Sequence, residues 1–324
     1  MTDIMTLGEV LIDMTQCGRD GNGNAMFAAY PGGAPANVAV AAARLGASTG
    51  FIGKVGDDAF GRSLEQTLKN EGVGVAGLYT CSDVPTTMAL VSIDETGDRD
   101  FSFYRDPGAD TQLTSGEALE ALGKDLPKVL HVGSLSMTTE PSREACLRAV
   151  AFAREKGILI SYDPNYRSAL WKSGEIAVKM MKSLLPMADI LKVSEEEMLM
   201  LTGSADLEEG SRILSDSGPS LVMVTLGPKG VFARCGDSTV SVPPYDVVVA
   251  DTNGAGDTFL GAMLMQITRE DSEAEDTVRE GEGSAVSLDR GTLLRMVTWA
   301  NKAAALTCSR HGAIPAMPYR NELE

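Results

Sequence analysis

A doubly wound α/β fold, with a mostly parallel sheet covered on both faces and a small β-lid, is what the 324-residue sequence predicts. Three observations carry that expectation. Short apolar runs alternate with helix-period stretches along almost the whole chain, the rhythm of strand–helix–strand units. The runs are apolar at successive positions, so each strand expects burial on both faces. Two stretches break the rhythm and read together as a small β element standing off the sheet.

Taken in order, Met1 to Thr15 carries Asp3, Glu9 and Asp13 and has no basic n-region. It reads as a first strand around Ile4–Leu7 and not as a signal peptide. Gln16–Tyr30, rich in Gly and Asn, is the first break. A helix is expected at Ala36–Leu45, a strand at Thr49–Lys54 and a helix at Gly61–Asn70. The second break, Thr86–Tyr104, alternates as two strands around Asp94-Glu95-Thr96-Gly97-Asp98, which is hairpin turn chemistry. Strands follow at Lys128–Val132, Ile158–Tyr162, Ile190–Val193 and Leu221–Thr225. Their helices are Ser142–Glu155, Ser194–Thr202, Ala255–Gln266 and Leu293–Ser309. Residues 1–324 thus form a single domain, with a lid from about 14–31 and 84–105. Residues 269–282 hold seven acids and two arginines and read as a solvated, mobile loop.

Composition narrows the function. With 44% hydrophobic and 23% charged residues the chain is globular. Acids outnumber bases 45 to 28, a net charge of −17. That field disfavours nucleic acid and anionic membranes, which need clustered Lys and Arg. No apolar run reaches the roughly 18 to 20 residues of a membrane span. The five cysteines are far apart with no Cys-x-x-Cys pair, which suits reduced thiols in a cytoplasm and argues against zinc. His131 and His311 are too few for a His-rich metal centre, and His131 is expected to satisfy a backbone group in a buried strand. Met180, Met181, Met198 and Met200 fall on helical spacing beside Leu and Val, as core filler.

Three clusters carry chemistry. Asp251-Thr252-Asn253-Gly254-Ala255-Gly256-Asp257 precedes an apolar helix. Small residues there let N–H groups at a helix start converge on an anion, aided by the helix dipole. Asp257 beside such an anion would repel it, so its role is either to accept a proton from an attacking hydroxyl or simply to cap the helix. Tyr30-Pro31-Gly32-Gly33-Ala34-Pro35-Ala36-Asn37 allows close approach to a ligand, with Asn37 offering donor and acceptor to a polyol; an ordinary loop fits too. Thr225-Leu226-Gly227-Pro228-Lys229-Gly230 ends a strand and starts a hairpin, as a nucleotide cradle or a turn. No Walker A loop occurs, and no Gly-x-Gly-x-x-Gly follows the first strand, which disfavours a dinucleotide oxidoreductase.

The second and first of these clusters resemble, in that order along the chain, the two signatures of the ribokinase-like (PfkB) carbohydrate kinases. Further matches are Val55-Gly56-Asp57-Asp58-Ala59-Phe60-Gly61, Phe101-Ser102-Phe103-Tyr104-Arg105, Asp163-Pro164-Asn165-Tyr166-Arg167, Thr225-Leu226-Gly227, Ala300 to Ala305 and Gly312-Ala313-Ile314-Pro315. The resemblance covers about residues 3 to 320, and within the family the chain is most similar to fructokinases. It implies a ribokinase-like fold and a catalytic base at Asp257, with Gly254, Ala255 and Gly256 as the anion hole. It implies sugar contacts from Asp13, Gly32, Gly33, Asn37, Tyr104 and Arg105, with Asn165 and Arg167 between sugar and phosphate. Ser194, Thr225, Gly227, Gly230 and Asn301 would line the nucleotide. Glu197 would organise Mg²⁺ through water, and Asp251, Asn253, Arg310 and Gly312 would surround a monovalent cation, K⁺. Ser194 stands where the family usually has Asn, and Asn253 where it usually has Thr, a position expected to act through its backbone. The acidic stretch 269–282 is longer than the family pattern.

The implied activity is ATP-dependent phosphorylation of a sugar, D-fructose at its 6-hydroxyl, in a cytoplasmic homodimer joined through the lid. The rival acceptor is 2-keto-3-deoxygluconate, whose carboxylate rewards paired guanidinium groups such as Arg105 and Arg167. Against it, Gly33-Ala34-Pro35-Ala36-Asn37 has the fructokinase-like form, where the acid kinases tend to place Glu and Leu before Asn. A sugar-binding regulatory relative without catalysis is the alternative of another class, and it predicts a damaged base or anion hole.

Overall fold

The structure is a computed structural model and describes residues 2–93, 99–273 and 286–324. The expected hairpin turn Asp94–Asp98 and residues 274–282 of the acidic stretch lie outside the described residues. The chain runs through β1 (Ile4–Leu7), β2 (Leu11–Arg19), β3 (Ala25–Gly32), α1 (Ala34–Arg44), β4 (Thr49–Gly56), α2 (Ala59–Asn70) and β5 (Val73–Cys81). It continues with β6 (Met88–Ile93), β7 (Arg99–Tyr104), α3 (Ser115–Lys124), β8 (Val129–Gly133), α4 (Ser142–Glu155), β9 (Leu159–Asp163) and α5 (Gly174–Leu184). The last third holds β10 (Ile190–Ser194), α6 (Glu195–Thr202), α7 (Leu207–Asp216), β11 (Leu221–Thr225), β12 (Val231–Cys235), β13 (Ser238–Val242), α8 (Ala255–Glu273) and α9 (Arg290–Cys308).

Nine strands form one sheet in the order β13-β12-β11-β10-β9-β8-β1-β4-β5. Every pairing from β11 to β5 is parallel, and β12 and β13 add an antiparallel edge. The chain winds from β1 outward to β4 and β5, then returns on the other side of β1 through β8 to β11. The winding therefore reverses between β1 and β8. In open sheets of this kind ligands bind beyond the carboxyl ends of the strands at such a reversal.

Two-sided burial follows from the apolar runs. Met5 and Leu7 pack on one layer with Ala145, Ala149, Met181, Met198 and Leu214 from α4 to α7. Ile4 faces the opposite layer, with Val38 and Ala42 of α1, Phe259 and Met263 of α8 and Val297 of α9. Each fully buried Leu or Ile stabilises by roughly 1.5–3 kcal/mol relative to exposure, so the sheet's centre is fixed from both sides. Met180 and Met200 pack at the rim of the first layer while Met181 and Met198 are fully buried, the gap-filling use expected of them.

Two expectations are corrected. Met1 to Thr15 is not one strand, because β1 stops at Leu7 and the chain turns at Gly8, whose φ is +154°. A Cβ on Gly8 would lie 2.6 Å from Pro35 Cγ, so only glycine fits where α1 presses on the turn. From Leu11 the chain enters a second, four-stranded sheet ordered β3-β2-β6-β7, which unites the two breaks in the sequence rhythm. Asp13 therefore stands on this lid and not at the end of the first strand. His131 meets Ser161 as expected through a backbone hydrogen bond, and its Nδ1 also lies 3.1 Å from Ser161 Oγ. The parallel register places His131 beside Ser161, so both side chains share one face. Burial, with Lys192 adding to it, drives the His131 pKa down to about 3. All five cysteines are free, and no helix among the described residues is long and apolar enough to cross a membrane.

Candidate active site

The site forms where α8 begins against the carboxyl ends of β9 and β10. Gly254 has φ +75°, and a Cβ there would lie 3.0 Å from Ala313 Cβ. Gly256 is needed for a different reason: its Cβ would lie 2.8 Å from Lys192 Nζ. The first-turn N–H groups of α8 have no intrahelical partners, and with the positive end of the helix they form an anion-binding lobe. A methyl group at Gly256 must push the ammonium aside. Gly256→Ala is therefore expected to lower kcat about tenfold or more through misplacement of Lys192. An unchanged kcat in steady-state assay would show that Lys192 does not need this seat.

Asp257, in the first turn of α8, is buried at 7% exposure. Its Oδ2 accepts a hydrogen bond from Asn37 Nδ2 at 2.8 Å, and Asn165 Nδ2 stands 3.5 Å from Oδ1. Burial pushes its pKa up, and Asp163 adds to this; Lys192, Asn37 and Arg167 pull the other way without cancelling it. Asn165 reaches the site because it adopts φ +46°, with its N–H donating to Asp163 Oδ1 at 3.1 Å. Asn is among the few residues that tolerate this conformation.

Lys192 was not singled out by the sequence reading, yet it is central. Its Nζ lies 2.9 Å from Asp163 Oδ2, with both side chains nearly inaccessible. Burial opposes its charge, but Asp163, Glu197 and Asp257 outweigh that and hold the ammonium above its ordinary pKa. The available signal was a lysine inside the otherwise apolar strand Ile190–Ser194, since a buried charge needs a partner.

The residues expected to contact sugar come mainly from the four-stranded sheet and α1. Gly32 leaves room for the Asp13 carboxylate, which a Cβ there would strike. Burial pushes the Asp13 pKa up to about 6; Asn253 and Arg167 oppose it, and Asp257 and Asp251 reinforce it. The side chain of Asn253 thus bonds to Asp13, in addition to the backbone role expected of it. Arg167 is exposed and Tyr104 is 60% exposed. Arg105 is buried, and its fork is occupied by Asp110 at 2.7 Å, Thr138 Oγ1 at 2.8 Å and the Leu135 carbonyl at 3.1 Å.

Ser194, expected to line the nucleotide, and Glu197 form a capping box at the start of α6. Glu197 Oε2 accepts the Ser194 N–H and Oε1 accepts the Tyr166 N–H, each at 2.7 Å. This clasp fixes the loop that carries Asn165 and Arg167. Each oxygen retains a lone pair for a water, which suits Mg²⁺, an ion that keeps much of its hydration. Gly227 and Gly230 have φ +55° and +100°, and a Cβ on Gly230 would strike the Val242 carbonyl. Thr225 ends β11 with its hydroxyl 3.3 Å from the Val193 carbonyl, and Asn301 Nδ2 donates to the Pro243 carbonyl at 2.8 Å. Asp251 joins the expected cation loops: Oδ1 accepts the Asn253 N–H at 2.9 Å and Oδ2 the Gly312 N–H at 3.1 Å. The Arg310 side chain pairs with Glu322, which leaves its backbone carbonyl as the group expected at the cation.

A buried carboxylate at a helix start, close to a buried lysine and a glycine-rich loop, fits phosphoryl transfer to a hydroxyl. The family model of the pfkB family carbohydrate kinases matches residues 1–320. The chain belongs to that family. It is 40% identical to a probable fructokinase-4 of Arabidopsis thaliana, over 99% of this chain and 95% of that one. Among solved structures, a Xylella fastidiosa fructokinase with bound ATP superposes with a TM-score of 0.87 at 32% identity, over 100% of this chain and 97% of that one. A double-mutant fructokinase from Vibrio cholerae O395, in a fructose, ADP and potassium ion bound form, gives 0.82 at 33% identity, covering 100% and 97%. This pfkB kinase is thus a phosphotransferase acting on an alcohol group, with the mostly parallel sheet of those neighbours.

Proposed function

We propose that this pfkB kinase transfers the γ-phosphoryl group of ATP to the 6-hydroxyl of D-fructose. The observation that carries the reading is Asp257, buried in the first turn of α8 and oriented by Asn37 at 2.8 Å. The sugar hydroxyl attacks the γ-phosphorus, its proton passes to Asp257, and the bond to the β-phosphate bridging oxygen breaks to release ADP. Lys192 and the first-turn amides of α8 stabilise the charge that gathers on the transferring oxygens. When bound with ATP, Mg²⁺ supplies further positive charge to those oxygens, and Glu197 with Ser194 would hold it through water. K⁺ is assigned to the loops of residues 251–253 and 310–312, supported by the potassium form of the Vibrio relative. A regulatory relative without catalysis is disfavoured, because the base and both glycines of the anion lobe are in place. Purified protein given ATP, Mg²⁺ and a panel of sugars tests the reading; absence of ADP release with every sugar would move it to that alternative.

The four-stranded sheet is proposed to close over bound sugar and to join two copies of the chain. Met26 and Phe27 on β3 and Tyr104 on β7 are exposed at the two edges of this sheet. Backbone hydrogen exchange in β2, β6 and β7 is expected to slow when fructose is added. Unchanged protection at saturating fructose would count against closure and favour a static dimer strand.

A further inference from the structure

We propose that Glu9 is a positioning residue of the sugar site: its carboxylate caps the N-terminus of α1 and so holds Asn37 against Asp257. Glu9 follows β1 at the point where the winding of the sheet reverses, and it is 3% exposed. The N-cap residue of α1 is Gly33, which has no side chain to bind the orphan N–H groups of the first turn. Glu9 supplies that group from a distant part of the chain, its Oε1 accepting the Ala34 N–H at 3.1 Å.

The seat is tight. A Cβ on Gly33 would lie 2.5 Å from the Glu9 carbonyl oxygen and 3.0 Å from Val10 Cα. Gly8 and Pro35 are as close on the other side. Residues 8–10 and 33–35 therefore form one packed joint. One turn on, the Asn37 N–H donates to the Gly33 carbonyl at 2.8 Å, and the Asn37 amide donates to Asp257. A displacement at Ala34 is carried along a rigid helical turn to the catalytic base.

A neutral Ser or Asn would cap this helix at lower desolvation cost. The carboxylate leaves its Oε2 buried without a partner, and burial pushes its pKa up to about 7, against the pull of Arg105. What a carboxylate adds is an acceptor at the positive end of α1, whose charged form the helix start favours. Glu9 thereby ties the turn after β1 to the helix that orients Asp257.

The kinetic part of the test rests on the fructokinase reading. Full-length Glu9→Gln keeps the shape and an acceptor but loses the charge. Its kcat/KM for fructose is expected to fall by about 10 to 10²-fold, with KM for ATP within about twofold. The loss should not add to that of Asn37→Ser, since both act through one contact. Exchange of the Ala34 to Asn37 amides should quicken in the unliganded protein. Additive losses, a lower kcat with both KM values unchanged, or unaltered exchange would overturn the proposal. Should Glu9→Gln fail to fold, Glu9→Asp, which withdraws the carboxylate by one methylene, is read the same way, and wild-type behaviour there overturns it. If the wild-type protein does not phosphorylate fructose, the substrate reading fails, and the exchange measurement, which needs no substrate, still decides the role of Glu9.

Discussion

Replacing Asp257 by Asn is expected to lower kcat by roughly 10² to 10⁴ while leaving KM for fructose and ATP within a few-fold, the usual range for loss of a general base. The amide preserves the shape of the side chain but cannot take the hydroxyl proton. It is buried and held by Asn37, so solvent has little access to replace it. The pH dependence should agree in sign. Asp257 acts only when ionised, and its pKa is raised, chiefly by burial. The rate therefore rises with pH through an acidic limb that lies above the range of a free aspartate. That limb should vanish in Asp257→Asn. Equal kcat in variant and wild type would remove Asp257 from the mechanism.

Fructose is expected to exceed 2-keto-3-deoxygluconate in kcat/KM by roughly 10² or more, the loss expected when a charged group goes unmatched in a buried site. The structure sharpens the reason. An acid substrate needs a guanidinium fork free to bind its carboxylate, and Arg105 has its fork taken up by Asp110, Thr138 and Leu135. Arg167 remains exposed, but its charge already favours the ionised forms of Asp13 and Asp257. The sugar side therefore carries an excess of carboxylates, which repels an anionic acceptor and suits hydroxyl groups. Side-by-side coupled assays decide the matter, and a preference for the acid would overturn the choice of sugar while leaving phosphoryl transfer intact.

Much of the fold was legible where burial is two-sided. β1, β11 and α4 have the bounds that the apolar patterns predicted, because the strands are nearly continuous apolar runs and α4 keeps a helical spacing of buried residues. The pattern was weaker where glycine interrupts it. β5 carries Gly74 and Gly77, and a Cβ on Gly77 would lie 2.9 Å from Ile52 Cγ1, so close strand packing had replaced the apolar signal with small residues. α7 has Gly210 in its middle, where Met198 packs against it, and it too escaped the periodicity.

The sequence by itself determined the family, the order of the motifs and the aspartate proposed as base, because glycines and an aspartate at a helix start are local chemistry. Only the tertiary structure decided what surrounds that base. The Lys192–Asp163 pair joins two neighbouring strands, the Glu9 cap joins β1 to a helix 25 residues later, and Asn37 meets Asp257 across 220 residues. It also moved Asp13 from the main sheet to the lid, since whether a chain continues or turns at Gly8 depends on Pro35 packing against it. Contacts between distant segments leave no periodicity in either one, and a buried charge reveals its purpose only when its partner is in view.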